Sequence, residues 1–191
     1  MNAPTITRQL LHTREIVCRG YLRSDGLLDV DGCIQDVPAE ASDLPFHRVE
    51  AGDPVHDMRL LMTLDTNLLI QSITAVTSAG ATPVCGAIAS AYASLAGLKI
   101  GPGFKQEVKA RVGGTKGCTH LTELVERMAS AAMQVRFTLG RAQQMHLLPG
   151  TEPPARRHSW VLDTCHAYRR DGEVVRLLGL VSDTPAGPPK S

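Results

Sequence analysis

The sequence predicts an α+β fold: an antiparallel sheet built from hairpins, with two or three helices on one face. Three observations carry that expectation. Strand-like runs come in pairs around short turns at Ser24-Asp25-Gly26, Asp65-Thr66-Asn67 and Arg170-Asp171-Gly172. From Leu121 the apolar residues fall at Leu121, Leu124, Val125, Met128, Ala132 and Val135, the spacing of a helix with one buried face. The order along the chain is strands, helices, strands, without the strand–helix alternation of parallel units.

Taken in order, residues 1–12 carry no pattern and read as a loose arm. One domain is expected over 13–182, with its core at 54–140, and a disordered tail over 183–191. The first hairpin pairs segments around 16–23 and 27–37. The prolines of 38–54 predict a loop. A strand over 55–64 puts His56, Met58, Leu60, Met62 and Leu64 on one face and Asp57, Arg59, Leu61 and Thr63 on the other. Its partner over 68–76 would set His56 near Val76. Thr82-Pro83 is a helix-start signal, and an alanine-rich helix is expected from there to about Ala96, closed by Gly97. A short helix over 105–112 and the long one from an N-cap at Thr119 to about Gly140 follow. Prolines make 141–159 irregular, and 160–168 with 173–180 read as a last strand pair.

Composition narrows the function classes. The chain has 191 residues, 43% hydrophobic and 20% charged, enough for one substantial core. A net charge of +1 and an aromatic fraction of 4% give no footprint for nucleic acid or an anionic membrane surface. No apolar run is long enough to span a bilayer, and the first residues lack the basic-then-apolar order of a signal peptide. A cytoplasmic protein is therefore expected. Its five cysteines are an odd number and read as free thiols or metal ligands rather than a disulfide framework. No Gly-x-Ser-x-Gly elbow, Walker loop or dinucleotide glycine fingerprint is present.

The most informative stretch is Gly117-Cys118-Thr119-His120-Leu121, a cysteine and a histidine at the mouth of the long helix. There the helix dipole and unpaired N–H groups favour a thiolate, the form that binds metals or attacks electrophiles. Cys85 sits near the start of the other helix. Folding of the second hairpin and both helices on one sheet face would bring His56, Asp57, Cys85, Cys118 and His120 to one end. Thiolates with an imidazole or carboxylate suit tetrahedral zinc, or an iron–sulfur cluster where cysteine dominates. The plainer reading is that both cysteines are core residues and His56 an ordinary strand residue. In Leu162-Asp163-Thr164-Cys165-His166-Ala167, strand spacing separates Cys165 from His166, and an edge hairpin is the competing interpretation. Cys18 and Cys33 read as packing residues.

Together with Val55-His56-Asp57-Met58, Leu98-Lys99-Ile100-Gly101-Pro102-Gly103-Phe104 and Leu162-Asp163-Thr164-Cys165-His166-Ala167, the segment around Cys118 resembles an uncharacterised bacterial family, a domain of unknown function. That resemblance spans most of 13–180 and implies no reaction. More distantly, residues 54–140 resemble the NifU-type iron–sulfur scaffold and SufE/SufU fold. This likeness implies a metal site of Cys85, Cys118, Asp57 and His56. The first scaffold cysteine is replaced here by His56-Asp57-Met58, and zinc suits that altered set better than a cluster.

Three functions compete. The first is a metal-binding accessory or carrier protein, with zinc as the ion and an unidentified protein partner. The second is an enzyme of small-molecule metabolism using the same groups, with a zinc-bound water or with Cys118 as nucleophile and His120 or Asp57 as its partner. The third is a metal-free interaction domain.

Overall fold

The computed structural model describes residues 5–145, 147–148 and 161–180. The chain divides into two compact units, residues 1–139 and 140–191. The fold is α+β, as expected. Its main sheet has four antiparallel strands in the order β1-β2-β5-β6: β1 His12–Leu22, β2 Leu28–Pro38, β5 His56–Leu64 and β6 Ile70–Ala79. The expected loop over 38–54 holds a small ribbon instead, β3 Ser42–Asp43 against β4 Arg48–Val49.

Alternation explains the sheet. In β2 the even positions Leu28, Val30, Ile34 and Asp36 are buried, and in β5 Met58, Leu60, Met62 and Leu64 are buried. Both sets face the layer that carries the helices. The β5–β6 register is offset from expectation along the hairpin: Val76 pairs with Arg59 rather than His56, and Asp57 pairs with Ala79. The Asp65 carboxylate accepts from the N–H groups of Asn67 and Leu69, Leu68 adopts φ 65°, and the widened turn delays β6 to Ile70. Irregularities between Asp57 and Met58 and between Thr63 and Leu64 add to the offset.

Within the stretch expected to be helical, Cys85–Leu95 winds as a 3-10 helix. Its two buried residues, Tyr92 and Leu95, are three apart, which puts them on one face at 3.0 residues per turn. The following link pairs with the start of β6 through Gly97 N–H to Ile70 C=O and Ile70 N–H to Leu98 C=O. α1 Phe104–Val112 buries Phe104, Val108 and Val112.

α2 Thr119–Gln144 is the long helix, extending past Gly140 into the stretch expected to be irregular. Its buried stripe follows the predicted one as far as Ala132: Leu121, Leu124, Val125, Met128 and Ala132 are fully buried, and Val135 is half-buried. The helix approaches the sheet closely because two strand positions lack a side chain. A Cβ on Gly32 would meet Sδ of Met128 and lie 2.7 Å from its Cγ, and one on Gly20 would overlap Cγ2 of Val135. Arg136 Nε donates to the Thr66 carbonyl at 2.6 Å, anchoring the helix beside the β5–β6 turn.

In the second unit the expected strand pair over 160–168 and 173–180 is replaced. His166–Tyr168 is a 3-10 turn and α3 spans Glu173–Leu177. Asp163 explains the change. It adopts φ 60°, which breaks an extended run, its N–H donates to the Tyr168 carbonyl, and its carboxylate accepts from Arg170 N–H at 2.9 Å and Nε at 3.2 Å. The expected irregular segment beyond Leu148 and the tail lie outside the described residues, as does Trp160.

The close approach of helix and sheet is testable. Gly32→Val should destabilise the fold by about 1–3 kcal/mol, the range for overpacking, measured by urea unfolding. Adding Met128→Ala should recover part of that loss. Strictly additive effects of the two substitutions would contradict the contact.

Candidate metal centre

Strand register builds the site. Arg14 on β1 lies opposite Asp36 on β2, and Asp36 lies opposite His56 on β5, so the three form one row across the sheet. Because Asp36 shares the buried face with Leu28, Val30 and Ile34, its carboxylate points under the helices, where its side chain is 2% exposed. His12, two residues before Arg14, reaches the same group.

The start of α2 lies over this row. Cys118, not Thr119, holds the N-cap position, since its carbonyl accepts the first helical hydrogen bond from Thr122 N–H at 2.9 Å. Fully buried Tyr92 fixes that point: its hydroxyl donates to the Cys118 carbonyl at 2.8 Å and accepts from the Cys118 N–H at 3.0 Å. His120 then comes down beside Asp36.

Asp36 is the hub. Its Oδ1 accepts from Arg14 Nε at 2.7 Å and His12 Nε2 at 3.0 Å. Its Oδ2 accepts from Arg14 Nη2 at 2.7 Å and His56 Nδ1 at 3.1 Å, with His120 Nε2 at 3.6 Å. Burial pushes the carboxyl upward. The opposing hydrogen bonds from Arg14 and His12 and the charges of Arg14 and His56 outweigh it, so the group is held well below the ordinary carboxylate range. An ionised carboxylate only accepts, so the facing nitrogens of His12 and His56 carry the protons. The His56 and His120 rings lie 3.9 Å apart between centroids, tilted by 32°. Burial lowers the His120 pKa, and the charge of His56 adds to that, which favours its neutral imidazole.

Asp36, His56 and His120 each offer a ligand atom within 4.8 Å of the other two. Among the described residues no other set of three His, Cys, Asp or Glu side chains does so. Two imidazoles and one carboxylate are a ligand set used by divalent transition metals, with coordination positions left for water or substrate.

Of the residues expected from the sequence, the fold gathers His56 and His120. Cys118 is adjacent but outside the group, its Sγ 3.9 Å from His120 Nδ1 and 3.8 Å from Met58 Sδ. Asp57 belongs to the opposite face of β5, where it lies 3.9 Å from Cys33 Sγ and 3.6 Å from Arg59 Nε. Cys33, read from the sequence as a packing residue, thus has an acidic neighbour. Cys85 Sγ sits 3.2 Å from Thr82 Oγ1. The set of His56, Asp57, Cys85 and Cys118 is therefore not assembled. Cys165 is exposed in the second unit. Asp36, Arg14 and His12 were not expected in the site.

A family profile matches residues 12–134, about two thirds of the chain. The chain belongs to DUF2889, a family of proteins of unknown function. No curated protein and no solved structure matches it. The DUF2889 segment contains every member of the centre from His12 to Glu123 and stops short of the Asp163–Tyr168 loop. Among the described residues, no helix is long and apolar enough to cross a membrane.

The depressed Asp36 value sets a pH dependence in metal-free protein. A carboxyl whose folded pKa lies below its unfolded value of about 3.9 contributes fully above that pH and loses the contribution as pH falls toward the folded value. The stability advantage of the wild type over Asp36→Asn, measured with a chelator present, should shrink as pH falls below about 4. An advantage that stays undiminished from about pH 4 to about pH 2 would contradict the ionised hub.

Proposed function

We propose that the protein binds one divalent transition-metal ion, zinc, through Asp36, His56 and His120. The observation that carries this reading is the convergence of three ligand atoms within 4.8 Å around a buried, ionised carboxylate. Oδ2 lies 3.1 Å from His56 Nδ1 and 3.6 Å from His120 Nε2. Ligand atoms each about 2.0–2.2 Å from a tetrahedral zinc ion are separated by comparable distances. Imidazole ligates a metal only in its neutral form, so uptake should weaken at acid pH. A thiolate-ligated iron–sulfur cluster fits this set poorly, because it contains no cysteine.

The ligands favour a resident ion over a cargo. Side-chain exposures of 2% for Asp36, 16% for His56 and 21% for His120 leave little open surface for handing an ion to a partner protein. Three protein ligands leave a position for a water that zinc would acidify or for a substrate oxygen. The role is thus that of a resident zinc centre rather than an exposed metal carrier.

A second reading is supported by Cys118. Its thiol at the helix mouth faces His120 Nδ1, while the other ring nitrogen faces Asp36, the order of a thiol–imidazole–carboxylate relay. Cys118 also lines a groove of about 590 Å³ between α1 and α2, with Lys109, Thr119 and Glu123. Under this reading Cys118 is alkylated by iodoacetamide faster than exposed Cys165, and His120→Ala removes the difference.

Zinc content separates the two. Protein purified without a histidine tag should carry close to one zinc per chain. Asp36→Asn and His120→Ala should weaken zinc binding by more than about 100-fold, beyond the usual effect of losing an outer partner. Cys85→Ser and Asp57→Asn should retain it. Full zinc content in folded Asp36→Asn or His120→Ala protein would overturn the ligand assignment.

A further inference from the structure

We propose that Arg14 is a built-in competitor of the metal ion: its guanidinium holds the Asp36 carboxylate in the metal-free protein and shifts wholly onto Glu123 when the ion enters. The inference rests on the zinc reading above and concerns what regulates that site.

Three observations carry it. The first is occupancy of the ligand oxygen. Oδ2, which the two histidines approach, already accepts from Arg14 Nη2 at 2.7 Å, while Nε takes Oδ1 at the same distance. A planar fork on both oxygens is the strongest way a side chain can hold a carboxylate. A dication bound to Oδ2 at about 2.0–2.2 Å would face that guanidinium at contact distance. Around a carboxylate 2% exposed, their repulsion is poorly screened.

The second observation is a place for Arg14 to go. Its remaining nitrogen, Nη1, already donates to Glu123 Oε2 at 3.0 Å. The side chain is 40% exposed, which leaves room to turn about that contact. Glu123 is approached on its other oxygen by Arg127 Nη2 at 3.5 Å, so two arginines and one carboxylate form a surface acceptor for the displaced charge. The third observation is His12. It donates to Oδ1 at 3.0 Å, so this oxygen keeps a partner after Arg14 leaves.

Zinc affinity is then a difference between two cations competing for one carboxylate. Removing the competitor tightens binding, and removing the acceptor for it weakens binding only while the competitor is present. Zinc titrations against a chromophoric chelator, at fixed pH and salt, test this directly. Arg14→Met should bind zinc at least about tenfold more tightly than wild type. Glu123→Gln should bind several-fold more weakly, and the same change should have little effect in the Arg14→Met background.

The Arg14 Nε–H resonance gives a readout that needs no substitution. In 15N-labelled wild-type protein it should move on adding zinc and exchange faster with water, as its hydrogen bond to Oδ1 is lost. A wild type that binds one zinc ion with this resonance unmoved would overturn the proposal, as would Arg14→Met binding no more tightly. Failure of both proteins to bind zinc would instead overturn the metal centre itself, and the competitor with it.

Discussion

A single buried carboxylate organises this end of the molecule. Asp36 brings a full negative charge into a layer otherwise filled by Leu28, Val30, Ile34 and Met58. Ionised carboxylates are costly to bury without partners. Every nearby element therefore supplies one: β1 gives His12 and Arg14, β5 gives His56, and the start of α2 gives His120. These partners together satisfy the carboxylate, so the strands and the helix start are tied to one another through this group.

The helix reaches the hub through precise but ordinary devices. Gly20 and Gly32 let α2 lie close to β1 and β2, and the Tyr92 hydroxyl fixes the backbone at Cys118. With Cys118 as N-cap, His120 is the second helical residue, immediately before the buried stripe of Leu121, Leu124 and Val125. An imidazole there sits at the positive end of the helix dipole, which adds to burial in favouring its neutral form. A neutral imidazole is the form that ligates metals.

Much of the frame was legible from the residues. Alternation in β2 and β5 and the periodicity of α2 are direct records of which face each element buries. What was not legible is instructive. His56 and His120 were singled out because they flank helix and strand starts, but the carboxylate that joins them was missed. Its signal lay in β2, where Leu28, Val30 and Ile34 continue in step to Asp36, an acid on an apolar face. Asp57 stood beside His56 in sequence yet points to the other face, since neighbours in a strand diverge. Cys85 was misplaced because it depended on a hairpin register that the Asp65 turn shifted. The last segment failed for a different reason: the Asp163 loop is set by φ 60° and by contacts to Arg170 and Tyr168, which no two-residue alternation records.

X-ray absorption at the zinc edge of the loaded protein tests the centre most directly. A shell of nitrogen and oxygen at about 2.0–2.2 Å, with imidazole scattering from two rings and no sulfur, is the predicted result. A sulfur shell at about 2.3 Å would place the ion on the cysteines instead and contradict the Asp36 hub as the ligand.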